Sequence, residues 1–483
     1  MAQTAAPLGQ PAELSLVSTL RLGLFQGCLG CLAVIFAGLL NRVMISELDL
    51  PGFLVGGALA FEQFMAPSRV WFGQRSDAHP IADRHRLPYI WLGTVLFCGL
   101  AVLSVPLIFH VARALRQASG SGALAGGMAA LCGLFAAYGL AVSLASTSYL
   151  ALVIDRTSER ERPRAVGLIW CLLTVGIVVG AIAISVSLRG LDGVTDPAVL
   201  EKILLGFMGR VVLVVLALTL VATFGMEPRR FRRGLFLREG STSAGIPDRD
   251  DGPTLRQAWS LITSSRQVLV FFAFLVLFTL GLFLQDPILE SYGAEVFGMP
   301  ISATASLNAI WGIGTLVGLL VAGLWLVPRM GKLSAARLGC QSIVATLLLI
   351  LLAGISGRVP VLQSVMFLFG LAAGIGTNSA LVLMLDLTLP QAAGTFVGLW
   401  GLGQALSRAL GKVLGGGLLD VGRVLQQRWW AGIPSPFPAF ALVLVVETVV
   451  AIAALLVLSR LNVRQFKEDT GRSLERVLAL ELG

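Results

Sequence analysis

Charge is scarce in this chain. Only 13% of its 483 residues are Asp, Glu, Lys or Arg, about half the share in an ordinary soluble domain. That argues against a large water-soluble fold. Histidine is scarcer still, with three residues in all. His79 and His85 lie in one short polar stretch and His110 ends an apolar block, so imidazole is missing from mid-block positions. Their spacing makes no zinc site. The six cysteines all fall inside apolar blocks. Cys28 and Cys31 have redox spacing, but on a lipid-embedded helix they read as small buried thiols. A nucleotide-binding loop is lacking as well: Gly411-Lys412 has neither the upstream glycine nor the following Ser or Thr. No Ser/His/Asp arrangement points to hydrolysis. ATP-driven transport and enzymatic activity are therefore not expected.

What is present is apolar sequence, 56% of the chain, in blocks of about 20 residues, the length that crosses about 30 Å of hydrocarbon. Twelve spans are predicted: 21–40, 52–72, 88–110, 124–153, 165–188, 203–225, 267–289, 301–327, 336–356, 360–387, 393–420 and 437–459. The 55 glycines and 20 prolines agree with membrane helices, where small residues let backbones approach. Residues 1–20 are mixed, contain Glu13 and precede a full span, so no cleaved signal is expected. The longest joint, 226–266, is polar, basic and rich in Gly, Ser and Pro, a linker between halves. The expected organisation is a cytoplasmic segment 1–20, a six-helix bundle 21–225, the linker 226–266, a second bundle 267–460 and a tail 461–483. In the tail Leu474, Val477, Leu478 and Leu482 form one helical stripe.

An even number of spans puts both termini on one side. Of the 36 basic residues, 22 fall in loops and tail on that side and eight on the other, which makes it the cytoplasm. The net charge of +9 is then topological, with no nucleic acid implied, and faces anionic lipid. Trp429-Trp430 beside Arg428 fits an interfacial anchor on the opposite face.

The halves are related. Shifted by 231 residues, GLAVSLASTSYLALVIDRT (139–157) lies on GLAAGIGTNSALVLMLDLT (370–388) without a gap. Asp155 meets Asp386, Thr147 meets Asn378, and further on Val166-Gly167-Leu168 meets Val397-Gly398-Leu399. A parallel six-plus-six repeat is the sequence trace of the major facilitator architecture, an all-α membrane fold with a cavity between two bundles.

The loop between spans 2 and 3 contains Gly73-Gln-Arg-Ser-Asp77, then Arg84 and Arg86. It matches the major facilitator loop of Gly, three residues, Asp, then basic groups. Gly73 would let two helix ends approach, Asp77 cap or pair, and Arg75, Arg84 and Arg86 pair across the bundles. Such contacts set the balance between two states; the alternative is a simple topology anchor. Gating candidates also include Asp155, Arg164, Asp286, Asp386 and Arg329. The last belongs to a second loop, GLWLVPRMGK, in which Val327 stands where an acid is expected.

Ionisable groups inside spans are costly and usually functional. Glu62 and Arg69 are seven apart, on one face of a continuous helix. Arg210, Glu447 and the pair Arg408–Lys412 are further intramembrane charges; each is either functional, an interhelical salt bridge or a snorkelling side chain. The candidate binding set is Gln26, Asn41, Glu62, Gln63, Asn308, Asn378 and Gln404. Pro287 is expected to kink span 7 after Gln285-Asp286, with Asp286 and Glu290 forming an outer gate or bonding to freed amides.

Four stretches resemble the PucC/LhaA group, the bacteriochlorophyll-delivery branch of the major facilitator superfamily: RLGLFQGCLGCLAVIFAGLLNRVMISEL (21–48), PSRVWFGQRSDAHP (67–80), RLPYIWLG (86–93) and LQDPILESYGAEVFGM (284–299). The resemblance implies a part in assembling light-harvesting complexes, supplying (bacterio)chlorophyll or a precursor to nascent antenna polypeptides in an intracytoplasmic or thylakoid membrane. Reaction-centre and chlorophyll-synthesis proteins are further implied partners. Magnesium takes oxygen readily, so Gln26 or Glu62 is the expected axial ligand for a few weakly held pigments. Two other expectations stay open: a proton-coupled carrier of a small amphiphile, with Glu62 or Asp286 as proton site, and a pigment-free scaffold for antenna helices.

Overall fold

The computed structural model describes residues 15–81, 84–117, 121–157, 162–189, 196–227, 266–386, 393–429 and 435–462. Most of the linker, the tail stripe and Trp430 lie outside the described residues. Helix accounts for nearly everything described; the one β feature among these residues is an isolated bridge between Ile81 and Arg84.

Among the described residues, ten helices are long and apolar enough to cross a membrane. The first, α1 (Leu16–Val34), starts where the Ser15 hydroxyl accepts the Ser18 N–H at 3.2 Å. It runs on through two π-helical stretches, Ile35–Leu40 and Val43–Glu47. Span 2 is not one rod. It forms α2 (Gly52–Phe64) and α3 (Ser68–Ala78): Pro67 has no amide to offer, and the chain around it tightens to turn-type bonds, Ala66 N–H to Gln63 and Ser68 N–H to Met65. The next four are α4 (Leu87–Gln117), α5 (Ser121–Arg156), α6 (Arg162–Ser187) and α7 (Pro197–Thr223). Asp196 caps α7, accepting the Ala198 N–H at 2.9 Å, with Pro197 in the first turn.

The second half repeats the pattern. Span 7 becomes α8 (Arg266–Phe283) and α9 (Leu289–Phe297), broken at Pro287 as the sequence implies. Span 8 is α10 (Ile301–Val321), continued by a π-helical stretch Ala322–Leu326 and a turn at Val327–Met330. Then come α11 (Lys332–Ser356), α12 (Val359–Asp386), α13 (Ala393–Trp429) and α14 (Phe437–Ser459). The two spans beyond the ten are the broken α2–α3 and α13, whose 37 residues include Arg408, Lys412 and Asp420.

The chain divides into two compact units. Residues up to Leu50, Gly57 to the end of the helix-α7 segment, and Met299–Gly312 form the first; Pro51–Gly56, the helices from Arg266 to Gly298, and everything from Ile313 form the second. In the first unit, α1 and α6 cross backbone to backbone. A Cβ on Gly30 would fall 2.1 Å from the Leu173 carbonyl oxygen, and one on Gly176 would fall 2.0 Å from that of Gly27. In the second, Gly415 meets the Leu284 carbonyl with the same tightness, 2.2 Å, and Gly416 meets that of Gly52 at 2.0 Å. There the Asp420 carboxylate grips the start of α2, accepting the N–H groups of Gly52 and Phe53 at 2.8 and 2.7 Å, where the helix dipole favours an anion.

Candidate functional site

The repeat equates Thr147 with Asn378, and their surroundings correspond. A Cβ on Gly73 would meet the Thr147 methyl at 3.5 Å; one on Gly323 would meet Asn378 Nδ2 at 3.6 Å. Among the described residues, Thr147 Oγ1 and Asn378 Nδ2 have no hydrogen-bond partner, nor do the hydroxyls of the residues that follow, Ser148 and Ser379, both fully buried. An unmatched buried polar group costs about 1–3 kcal/mol. Each unit thus carries the same polar dyad, late in a long apolar helix, with hydrogen-bonding capacity left for a ligand or water. The 3.5 Å contact at Gly73 is ordinary, so close approach does not itself require glycine there.

The break in span 7 is a second polar focus. Glu447 on α14 is fully buried, and its Oε1 accepts the Gln285 N–H at 3.3 Å. An amide freed by Pro287 thus finds an acceptor on another helix. Gln285 is 5% exposed, Glu290 2% and Ser291 fully buried; Asp286 is half-buried in the same break. Among the described residues, Gln285 Oε1, Ser291 Oγ and Glu447 Oε2 have no hydrogen-bond partner. A small pocket lies one turn along, lined by Phe278, Gly281, Cys340, Ile343, Ala451 and Ala454, with room for about one water molecule; no chlorin ring fits there.

The loop between spans 2 and 3 is built around Arg86. Its Nε donates to Asp155 at 3.0 Å and an Nη to the Ser76 hydroxyl at 2.7 Å. These two partners lie in its own unit. The Glu227 carboxylate, just past α7, accepts the N–H groups of His85, Arg86 and Leu87 at 2.7–3.1 Å. It caps α4 from 140 residues away, which no local pattern reveals. Arg75 lies over Trp71 at 5.5 Å, Arg84 over Trp91 at 5.9 Å and Arg329 over Trp325 at 5.0 Å. The side chains of Asp77, Arg164 and Asp386 lie outside the described residues. Glu227→Ala leaves three amides without their acceptor. It is expected to lower stability by about 1–3 kcal/mol, read as a depressed melting temperature in detergent, with Glu227→Gln intermediate.

The remaining candidates scatter. Gln26, Gln63, Asn308 and Gln404 are half-buried on different helices, and Asn41 is fully buried. Glu62 is half-buried, and its backbone packs on Gly139, where a Cβ would fall 2.6 Å from its carbonyl oxygen. The interruption at residues 65–67 removes the continuous helix that would have set Glu62 and Arg69 on one face, although the carboxylate still acts electrostatically on that guanidinium. Arg408 lies 4.6 Å over the Phe283 ring and Lys412 is 8% exposed. Arg42, counted among loop charges on sequence alone, is 4% exposed. It donates to Thr304 Oγ1 and, at 3.1 Å, to the Met299 carbonyl.

Gln26 and Glu62 each offer an oxygen donor suited to magnesium, and the three histidines avoid mid-span positions, His110 standing at the end of the third span. Either residue would suit an oxygen-ligated tetrapyrrole.

Repeat-related helical units with broken spans and orphaned polar dyads define a membrane protein of the major facilitator type. The chain matches a bacterial homologue of the lysosomal transporter Spinster, solved inward-facing and unoccupied, with TM-score 0.65 and 14% identity over 94% of this chain and 97% of that one. It matches a bacterial homologue of the iron transporter ferroportin, inward-facing, with TM-score 0.64 and 15% identity over 92% and 99%. The family described as PUCC protein matches residues 39–466, and the chain belongs to that family. Among its relatives, Protein PucC of Rhodovulum sulfidophilum is 30% identical over 85% of this chain and 87% of its own. An uncharacterized protein of the puhA-bchM intergenic region of Rhodobacter capsulatus is 29% identical over 92% and 90%. The bacteriochlorophyll synthase 44.5 kDa chain of the same species is 30% identical over 84% and 87%.

Proposed function

We propose that this protein is a membrane assembly factor for photosynthetic light-harvesting complexes, binding (bacterio)chlorophyll or a precursor and delivering it to nascent antenna polypeptides without catalysing a reaction itself. Membership of the PucC family over residues 39–466 carries this reading. The name of the Rhodobacter capsulatus relative associates that protein with bacteriochlorophyll synthesis. The unpartnered dyads at Thr147-Ser148 and Asn378-Ser379 supply polar anchor points, and Gln26 or Glu62 supplies the oxygen ligand. Few ligands and no mid-span imidazole suit a carrier that must let its pigment go. The termini are cytoplasmic in this reading, as the loop charges imply, and the loop around Arg86 sets the balance between states.

The test is deletion of the gene in its pigment-making host. Near-infrared antenna absorption is expected to fall to a small fraction of the parent while free pigment persists. The solubilised protein is expected to co-purify with substoichiometric tetrapyrrole. Unchanged antenna absorption overturns the assembly role, and pigment-free protein overturns delivery. A second reading, a proton-coupled carrier of a small amphiphile, draws on the transporter fold of the solved structures. It requires uptake into proteoliposomes that collapses with the proton gradient.

A further inference from the structure

Arg408 stands outside the polar foci described above. It lies on α13 eight residues before Gly416, and Gly416 meets Gly52 at the outer edge of span 2. That is about 12 Å along the helix axis. A helical side chain leans toward the N-terminus, so Arg408 leans away from that edge and deeper into the membrane. The other edge of the span, at residue 393, is fifteen residues off, about 22 Å. Snorkelling to a headgroup therefore does not account for it. Its guanidinium is held instead 4.6 Å over the Phe283 ring.

Helix α13 divides by face. Leu406, Leu410 and Leu414 form an exposed outward stripe. The flanks are buried at Ala405, Ser407 and Ala409, and a Cβ on Gly403 would fall 2.8 Å from the Phe272 ring. The face opposite the stripe carries Gly401, Gln404, Arg408 and Lys412, spaced three and four apart. Arg408, two residues from both Leu406 and Leu410, points away from them, yet it is exposed. It therefore opens on space other than lipid. At the Lys412 end this face is closed, because a Cβ on Gly56 would fall 2.1 Å from the Lys412 carbonyl oxygen. At Gly401 it is open: a Cβ there meets nothing within 4 Å. Phe272 and Phe283, eleven apart on α8 and so on one face, stand half-buried beside it. A guanidinium over a ring keeps its N–H donors in its own plane, where a carboxylate takes two of them. Lys412, one turn on, adds a second positive charge; Gln404, one turn back, adds an amide donor. The walls suit a flat apolar body, and the polar face suits an anion.

We infer that Arg408, with Lys412 and Gln404, seats the carboxylate of a flat apolar ligand, and that this ligand is a tetrapyrrole precursor with its propionate free, not the esterified pigment, which has lost that charge. The inference deepens the pigment-binding part of the proposed function and rests on it.

The test measures binding of a metal-free chlorin acid, pheophorbide, and of its methyl ester to the purified full-length protein, read from their own fluorescence. Without magnesium, Gln26 and Glu62 contribute no metal bond. The acid should bind about tenfold more tightly than the ester, the difference for one charge-assisted hydrogen bond. Arg408→Gln should bring acid and ester to equal affinity in a protein that still elutes as a monodisperse peak, and Arg408→Lys should keep part of the preference. Should Arg408→Gln not fold, Lys412→Gln, which should lower the acid-to-ester ratio, gives the same reading. Palmitate, a lipid carboxylate without a ring, should displace the acid poorly. Equal binding of acid and ester by the parent, a preference indifferent to Arg408→Gln, or displacement by palmitate as strong as by the acid itself overturns the inference. Equal binding removes the carboxylate seat and leaves pigment binding standing. A preference that depends on Arg408, beside an antenna left intact by gene deletion, keeps the seat and removes the assembly role.

Discussion

Gly176→Val is expected to leave no folded protein. A Cβ at Gly176 would sit 2.0 Å from the Gly27 carbonyl oxygen and 2.6 Å from its carbon. These are backbone atoms of a facing helix, which cannot rotate aside as a side chain can. Overpacking a core that can yield costs about 1–3 kcal/mol; here α1 and α6 must separate along their whole crossing, including the matching contact of Gly30 with Leu173. The variant should give aggregate in place of a monodisperse peak in detergent size-exclusion chromatography, and Gly176→Ala a weakened one. Gly133→Ala, whose added methyl meets nothing within 4 Å, is the control and should match the parent. A Gly176→Val protein that elutes and melts normally would show that the crossing is wrongly placed.

Arg42→Met should cost about 3 kcal/mol, the lower end of what breaking a buried ion pair costs. Methionine keeps the length and apolar stem but removes every donor. The Met299 carbonyl and Thr304 hydroxyl lose their partner, and so does Glu47, 3.4 Å from the guanidinium. Glu47 is 29% exposed, so water relieves part of the loss; this sets the lower end. Arg42→Lys should recover only part, since a point charge cannot reach three acceptors in a fork. Thermal unfolding in detergent gives the ranking. A methionine variant as stable as the parent would mean that these contacts contribute nothing.

The span map was legible because apolar block length is set by bilayer thickness, a constraint that each segment carries in itself. The Thr147–Asn378 correspondence was legible for a similar reason: the repeat aligns without a gap, so equivalent positions can be counted off. Pro287 announced its break beside polar residues, whereas Pro67 sat in a block that otherwise ran on, and span 2 read as one rod. Arg42 followed the first apolar run and read as a loop charge, because nothing in the residues showed that π-helical turns carry the helix past it. The roles of Glu227, Asp420 and Glu447 were hidden more deeply. Their partners are 140 to 368 residues away along the chain, and a carboxylate seeking a distant amide leaves no local pattern.

The crossing of α1 and α6 also governs how such a chain can diverge. Relatives at 29–30% identity have exchanged most of their side chains. At Gly30 and Gly176 an exchange would demand that two rods retreat together, which one substitution cannot supply. Drift is therefore channelled to the outward surfaces. The innermost seam acts as a weld, and a lineage can recast its exterior only around it.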